Sequence, residues 1–338
     1  MKTYWKISFA IIGTLFFLQA CKKDNTSYHD SSDDFFYIVW SDFDQIYPYF
    51  IHKGINWDSV NSEYSSRIHE TTSMHELSDI IGEMTMVLKD IHVNFTSSFG
   101  TYHYSKKNNY PENPPDHANA YLDTIFSDNS KGAFGYLANT NFAYLRIKTF
   151  IGLTEDFSEL AAMLDHVSSS DGLVLDIRSN GGGNELNGRT IAGRFIDEDT
   201  PYLYSRVRDG SSWSDFTPWR ESILISTNYL DYHKQVILLT NRRVYSSAEL
   251  FVLMMKAYDE LIIVGDTTGA ASANPAKRTL SNGWQYYVST WQAASLNHEL
   301  IEDNGIAPDH YILMTEESIT EGRDLILEKA IDLLSATK

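Results

Sequence analysis

The sequence predicts an α/β fold, an α+β arrangement with a parallel-rich central sheet, preceded by a small helical N-terminal domain. Short apolar runs alternate with amphipathic helical patterns in the second half of the chain, and the segment before residue 95 shows helical periodicity. Apolar runs separated by helices are typical of parallel strands covered on both faces. The 338 residues, 43% of them hydrophobic, are enough for one large domain or two ordinary ones.

The N-terminus has the pattern of a targeting segment. Two lysines precede an apolar stretch at residues 7–18, which is shorter than the ~20 residues of a membrane-spanning helix. The stretch ends at Leu-Gln-Ala-Cys21, which resembles the bacterial lipobox, where the signal is removed before an acylated cysteine. We therefore expect residues 1–20 to be a lipoprotein signal peptide and Cys21 to be lipidated. An ordinary signal peptide with an incidental cysteine is the alternative.

Charge and composition exclude several classes of function. Lys and Arg number 27 against 45 Asp and Glu, a net charge of −18, which opposes binding to nucleic acid because phosphate contacts depend on basic residues. A single cysteine excludes a disulfide scaffold and a multi-cysteine metal site. No His, Asp and Glu cluster has ligand spacing, so we expect no metal and no cofactor.

The rest of the chain divides into four segments. Polar residues 21–34 predict a flexible tether, residues 35–95 a helical N-terminal domain, residues 96–135 an irregular connector or edge strands, and residues 136–338 the α/β domain. Within the α/β domain, strands are predicted at 142–147, 173–177, 236–239 and 261–264, and helices at 155–167, 184–196, 247–259 and 324–334.

A glycine cluster follows the second predicted strand, in Leu-Asp-Ile-Arg-Ser-Asn-Gly-Gly-Gly at residues 175–183. No Gly-Lys-Ser/Thr follows, and Leu186 stands where a dinucleotide fingerprint needs its third glycine, so neither phosphate motif fits. The cluster is either an oxyanion hole made of backbone N–H groups or a tight turn that needs positive φ.

A second strand end lies in Leu-Leu-Thr-Asn-Arg-Arg-Val-Tyr-Ser-Ser-Ala-Glu-Leu-Phe at residues 238–251. Ser246 to Glu249 fits a capping box, in which the serine only satisfies helix N–H groups. Alternatively, Ser246 is a nucleophile at a helix N-terminus, where the helix dipole and unsatisfied N–H groups stabilise a developing oxyanion.

Taken together, these segments resemble the tail-specific, or C-terminal processing, serine proteases, in the branch related to the tricorn protease core. Five motifs occur in the family's order: Leu-Lys-Asp-Ile-His at 88–92, the glycine loop at 175–183, Thr-Asn-Arg-Arg-Val-Tyr-Ser-Ser-Ala-Glu at 240–249, Val-Gly-Asp-Thr-Thr-Gly at 264–269 and Glu-Asp-Asn-Gly-Ile-Ala-Pro-Asp at 302–309. The resemblance runs from about residue 35 to 335 and implies a core of the ClpP/crotonase type.

The resemblance also implies roles for individual residues. Ser246 matches the nucleophile, His92 the general base and Glu302 the acidic member of the tricorn-type relay. The backbone N–H of Ser247 and that of Gly181 or Gly182 match the oxyanion donors.

Two positions depart from the family pattern. Where the processing proteases carry a lysine after glycine, this chain has Gly269-Ala270-Ala271, so a Ser/Lys dyad is unsupported. The tricorn relay has a serine beside its histidine, whereas Ile91 precedes His92 here. Asp90 is therefore a second candidate to orient His92, because residues two apart share a face in an extended chain.

The expected function is that of a serine endopeptidase or C-terminal processing peptidase acting on peptides or proteins, lipid-anchored to a bacterial membrane in the cell envelope, on the periplasmic or cell-surface side. The stretch between His92 and Phe142 is too short for the PDZ module that the family often carries. A non-catalytic peptide- or ligand-binding lipoprotein on the same fold is the alternative. An esterase or amidase acting on non-peptide acyl groups is a third candidate.

Overall fold

The computed structural model describes residues 32–106, 111, 117–227 and 229–337. The predicted signal peptide, Cys21 and most of the predicted tether lie outside these residues. In the described part of the chain, no helix combines the length and apolarity needed to cross a bilayer. The same residues hold no group of three or more His, Cys, Asp and Glu side chains placed to bind a metal ion.

The N-terminal part is a small helical unit with an aromatic core. Its elements are α1 (Ser32–Ile46), α2 (Trp57–Ser65), α3 (Met74–Met86), β1 (Asn94–Thr96) and β2 (Thr101–His103). Val39, Phe43 and Tyr47, which recur at helical spacing, are fully buried in this core. The helical periodicity thus marks the buried faces of helices, as the sequence predicts.

The remaining elements follow in chain order: β3 (Leu122–Asp128), β4 (Gly132–Leu137), β5 (Phe142–Ile147), α4 (Thr154–Ala162), β6 (Gly172–Asp176), α5 (Glu185–Ala192), β7 (Thr200–Val207), β8 (Arg220–Leu224), β9 (Val236–Thr240), α6 (Ser247–Met255), β10 (Leu261–Gly265), β11 (Pro275–Thr279), β12 (Gln285–Ser289), β13 (Trp291–Ala294), β14 (His310–Tyr311), α7 (Glu316–Thr320) and α8 (Leu325–Ala336). Short 3₁₀ turns precede β3 and follow α4.

The central sheet has seven strands in the order β14-β10-β9-β6-β5-β4-β3. The first five are parallel, and β4 and β3 add an antiparallel edge. Helices α4, α5 and α6 pack on one face and α8 packs on the other. Because both faces are covered, β6 and β9 are wholly buried, and this is why they appear in the sequence as unbroken apolar runs. The predicted fold class is confirmed.

A second, smaller sheet contains strands from both parts of the chain and connects the N-terminal part to the α/β domain. Its strand order is β11-β12-β1-β2, and Phe95 of β1 lies opposite Tyr286 of β12 in an antiparallel pair. His92 lies two residues before β1. The pairing therefore carries the end of the helical unit to the α/β domain.

The glycine loop after β6 packs against the segment that follows β5. Gly183 has φ 141°, a value that L side chains rarely adopt, and it forms a parallel bridge with Phe150. The Phe150 N–H donates to the Gly182 oxygen at 2.9 Å, and the Asn184 N–H donates to the Phe150 oxygen at 2.9 Å. A Cβ atom on Gly183 would lie 2.2 Å from the Phe150 carbonyl carbon, so this position requires glycine.

We predict that Gly183→Ala lowers the free energy of unfolding by at least about 2 kcal/mol, because the cost of the unfavourable φ and the cost of the clash with the Phe150 backbone add together. Gly181→Ala is the matched control, since a Cβ there meets nothing within 4 Å. Urea unfolding of both variants measures the difference. Equal stabilities would show that the loop does not need its close approach to Phe150.

Candidate active site

Ser246 lies between β9 and α6 in a strained backbone conformation. Its φ of 57° and ψ of −128° fall outside the regions that non-glycine residues normally occupy. Such outliers cost about 1–3 kcal/mol and persist only where the surroundings enforce them. The residue is half-buried and immediately precedes the first residue of α6, where the helix N–H groups lack intrahelical partners.

The buried carboxylate of Glu249 enforces this conformation. It accepts the Ser246 N–H at 3.2 Å, the Thr268 hydroxyl at 2.6 Å, and the N–H groups of Ala270 and Ala271 at 2.9 Å each. The Ser246 N–H also donates to the Ala271 oxygen at 2.8 Å. Burial raises the pKa of Glu249, and these hydrogen bonds oppose the rise. Glu249 thus caps the helix through the main chain of Ser246 and fixes residues 268–271, here called the alanine turn.

The glycine loop lies directly against Ser246. A Cβ atom on Gly182 would be 2.9 Å from the Ser246 Cβ and 3.1 Å from the Ser247 nitrogen, so no other residue fits there. The Gly182 N–H donates to the Asn180 side-chain oxygen at 2.9 Å. This bond commits the Gly182 N–H, and it therefore favours Gly181 over Gly182 as a donor toward a ligand at Ser246.

A cleft of about 420 Å³ opens beside Ser246 and Ser247. It lies between the N-terminal ends of α5 and α6 and the segments around β11 and β13. The apolar part of its wall comes from Leu186, Leu250, Pro275 and Trp291. The rest of the lining is mostly polar and includes the charged residues Glu185 and Arg189, so the cleft offers both apolar and polar contacts to a ligand.

His92 is held beside Asp90 in a turn after α3. The Asp90 Oδ1 accepts the His92 backbone N–H at 2.8 Å, as in an Asx turn, and the Val93 N–H donates to the Asp90 carbonyl at 3.1 Å. Oδ1 also lies 3.7 Å from the His92 Nδ1. The predicted proximity is present, but its expected cause was wrong, because the two residues meet across a turn and not along an extended strand.

The charges around His92 favour its protonated form. Burial works to lower the pKa of His92, but contact with Asp90 and the charges of Asp90, Glu302 and Glu249 outweigh burial and raise it. Burial likewise opposes ionisation of Asp90, yet His92 and the Ser289 hydroxyl, which donates to Asp90 Oδ2 at 2.7 Å, hold its pKa below the ordinary value. The two groups therefore form a buried pair of opposite charge whenever His92 is protonated.

Glu302 lies in the same buried cluster, with its carboxylate inaccessible to solvent. Its Oε1 is 3.0 Å from the Lys53 ammonium, and its Oε2 accepts the Ser272 N–H at 3.3 Å. Burial and the charge of Asp90 raise the pKa of Glu302 to about 7, against the opposing effect of Lys53. Glu302 therefore contacts the segment after the alanine turn and acts on His92 through its charge.

The structure thus gathers the predicted residues at the junction of the two parts of the chain. His92 lies close enough to Glu302 and Glu249 for both charges to raise its pKa, and Glu249 bonds the Ser246 main chain. Among the described residues, the Ser246 hydroxyl and the His92 ring form no direct hydrogen bond. Such bonds are often long in unliganded enzymes and shorten when substrate binds.

Sequence reasoning missed three members of this cluster. Lys53 contacts Glu302, Ser289 donates to Asp90, and the Lys106 ammonium donates to the oxygens of Gly269 and Ala270. Each lies outside the recognised motifs and reaches its partner across more than 160 positions of sequence. No local pattern signals such contacts.

Comparison with known proteins places this site in a family. Residues 141–312, just over half of the chain, match the model of peptidase family S41, and residues 32–86 match that of the tricorn protease C1 domain. A tail-specific protease of Haemophilus influenzae is 28% identical over 158 residues, and the carboxy-terminal processing protease CtpB of Bacillus subtilis is 23% identical over 188. These alignments cover 45% and 55% of this chain but 21% and 36% of the relatives, so the chain spans well under half of their length.

A structural relative agrees over nearly the whole chain. A protein of Parabacteroides merdae ATCC 43184, known from its crystal structure, is 32% identical and superimposes with a TM-score of 0.80, covering 90% of this chain and 96% of that chain. The S41 match includes the glycine loop, Ser246, the alanine turn and Glu302. The resemblance that the motifs indicate is confirmed: this chain belongs to peptidase family S41.

Proposed function

We propose that this chain is a serine endopeptidase of the C-terminal processing type, cleaving peptide bonds through an acyl-enzyme on Ser246. One observation carries the proposal: a strained serine stands at the head of a helix, with a glycine loop against its Cβ and a cleft beside it. This arrangement exposes a hydroxyl where backbone N–H groups and the helix dipole stabilise negative charge.

In this mechanism His92 is the general base. The His92 Nδ1 lies 3.7 Å from the Asp90 Oδ1 and has no hydrogen-bond partner among the described residues. In the proposed mechanism this nitrogen carries the proton of the neutral ring toward Asp90, and Nε2 is the acceptor. Nε2 takes the Ser246 proton as the serine oxygen attacks the substrate carbonyl carbon, and later gives it to the leaving amine. Water then attacks the ester carbon while His92 takes a proton from the water, and His92 returns that proton to the Ser246 oxygen as the peptide acid leaves.

Three further groups stabilise the charges that develop. The N–H groups of Ser247 and Gly181 receive the carbonyl oxygen as it becomes negative. Asp90 fixes the tautomer of His92 and stabilises the imidazolium, because it is the carboxylate at Nδ1. Glu302, the matched acidic residue of the relay, is bonded to Lys53 and the Ser272 N–H, so it supports the imidazolium through its field.

The substrate in this proposal is a peptide bound in extended form. A strand that pairs with exposed backbone gains affinity from main-chain hydrogen bonds and selectivity from side-chain pockets. The cleft beside Ser246 has Leu186, Leu250 and Trp291 in its wall together with Glu185 and Arg189, so it offers apolar and polar contacts to a side chain of that peptide. We also propose that Cys21 carries a lipid anchor that places the enzyme in the bacterial cell envelope, on the evidence of the lipobox-like Leu-Gln-Ala-Cys.

We predict that a fluorophosphonate probe labels the wild-type protein and not Ser246→Ala, because only an activated serine displaces fluoride. Ser158→Ala, which removes an exposed serine of α4, is the control and keeps its labelling. Absence of labelling in folded wild-type protein would instead favour a binding protein. Faster cleavage of esters than of any peptide would favour an esterase.

We predict that His92→Ala slows peptide cleavage by about 10²- to 10⁴-fold, the usual contribution of a general base. The side chain is only 12% exposed and its removal leaves the buried Asp90 without its partner, so we also expect a lower melting temperature, and turnover is measured well below it. Turnover by steady-state kinetics and the melting temperature test the two halves of this expectation. Wild-type turnover in the variant would exclude His92 from the mechanism.

We predict that kcat/KM falls as pH decreases through a midpoint above 6.5, because the raised pKa keeps His92 protonated, and unable to accept a proton, at higher pH than usual. Asp90→Asn removes the main carboxylate that raises this pKa, so the acid limb moves to lower pH. Glu302→Gln is the comparison variant, and we expect it to shift the acid limb of the kcat/KM profile by less. A larger shift in Glu302→Gln would identify Glu302 as the residue that orients His92.

A further inference from the structure

The alanine turn lies between two opposite charges that bind its two sides. The N–H groups of Ala270 and Ala271 point to the Glu249 carboxylate at 2.9 Å each. The carbonyl oxygens of Gly269 and Ala270 accept from the Lys106 ammonium at 3.1 and 2.8 Å. Both contacts are charge-assisted, which makes them about twice as strong as neutral hydrogen bonds. The peptide groups of the turn are thus held by an anion at one side and a cation at the other.

The turn needs such support because its backbone is strained. Ala270 has φ 61°, in the left-handed region that residues with a Cβ rarely adopt. A Cβ on Gly269 would lie 1.9 Å from the Tyr245 ring, so the turn also packs tightly against the residue before Ser246. Without fixed partners, a turn in this conformation relaxes toward an unstrained one.

The alanine turn contacts Ser246 and helps to position it. The Ala271 oxygen accepts the Ser246 N–H at 2.8 Å, and this bond helps to hold Ser246 at its unusual φ of 57°. A displacement of the turn therefore displaces Ser246 relative to the glycine loop. Misplacement of a reacting group by about 1 Å can lower a rate ~100-fold.

Lys106 reaches the turn from the N-terminal part of the chain. It follows β2, which pairs with β1, the strand next to His92. Its side chain is 26% exposed, and its ammonium also lies 4.0 Å from the Asp303 carboxylate, while the Asp303 N–H donates to the Ala270 oxygen at 3.1 Å. Lys106 is therefore part of a partly buried network across the junction between the two parts.

We infer that Lys106 is a positioning residue for the reaction proposed above: it holds the alanine turn from its carbonyl side and thereby holds Ser246. The expected effect on the reaction rate rests on the proposed function, whereas the expected effect on the alanine turn rests on geometry alone. An ammonium that donates to two carbonyl oxygens has no lone pair with which to accept the serine proton, so Lys106 does not replace His92 as base.

The test compares Lys106→Met with Lys106→Arg and with Lys234→Met. Lys234 is the matched control, because its ammonium also donates to two main-chain oxygens, those of Ser168 and Ser170. These residues precede β6 and β9, whereas Ser246 follows β9, so the control contact lies at the opposite end of the parallel strands. The rate of labelling by a fluorophosphonate and the kcat and KM for a cleaved peptide are measured. We expect Lys106→Met to lower the labelling rate and kcat by about 10- to 100-fold with KM nearly constant. Lys106→Arg should stay within a few-fold of wild type, as should Lys234→Met.

Hydrogen exchange separates failure of this inference from failure of the proposed function. In Lys106→Met, the peptide that spans residues 266–273 should exchange its amide hydrogens faster than in wild type and Lys234→Met, whether or not the protein reacts with the probe. Unchanged exchange together with an unchanged labelling rate would overturn the inference. It would also be overturned if Lys106→Arg were as slow as Lys106→Met while exchanging like wild type, since that result would assign Lys106 a proton-transfer role.

Discussion

The geometry of this site depends on one buried carboxylate. Glu249 is inaccessible to solvent, and it accepts hydrogen bonds from the Thr268 hydroxyl and from the backbone of Ser246, Ala270 and Ala271. A buried charge is tolerated only when it is so satisfied, because its lost hydration costs several kcal/mol. Its donors come from a helix start and a separate turn, so satisfying the charge fixes both segments relative to each other. The strained backbone of Ser246 follows from that requirement.

A second constraint attaches His92 to the α/β domain. Antiparallel pairing of β1 with β12 attaches the end of the helical unit to the α/β domain, and the Asp90–Ser289 hydrogen bond joins the same two elements beside His92. Lys53 adds a charged contact to Glu302 and, at 2.7 Å, to Asp303. The imidazole is therefore positioned by contacts across the junction, and the loss of any one of them acts on His92 as well as on stability.

The sequence predicts those features that local physics determines. Strands β5, β6, β9 and β10 are recognisable because burial on both faces removes polar residues from them, and the glycine loop is recognisable because close approach of two backbones requires glycine. The capping box and the nucleophile are alternatives for Ser246, and the structure shows main-chain bonds between the two residues of the box: Glu249 Oε2 accepts the Ser246 N–H, and the Ser246 main-chain oxygen accepts the Glu249 N–H. Local pattern could not separate these interpretations, since both place a serine at a helix start.

Contacts that span long stretches of chain escape such reasoning. For the connector at 96–135 the sequence leaves an irregular segment and edge strands as alternatives, and only the folded chain shows that β3 and most of β4 pair at the edge of the central sheet. Lys53 and Lys106 lie in segments without a motif, and only the folded chain shows that their ammonium groups meet Glu302 and the alanine turn. Asp90 was found by its spacing from His92, but the turn that joins the two depends on the hydrogen bonds of the folded state.

The distribution of charge explains how this chain can lack the family lysine after Gly269. In a Ser/Lys dyad the amine must lose its proton to act as base, which a neighbourhood of carboxylates opposes by raising its pKa. Here the charges of Asp90, Glu302 and Glu249 act on an imidazole instead, and they raise the pKa of His92 and so favour its protonated form. The two lysines of this cluster instead contact fixed partners, Lys53 the Glu302 carboxylate and Lys106 the main-chain oxygens of the alanine turn, and so they hold these groups in place.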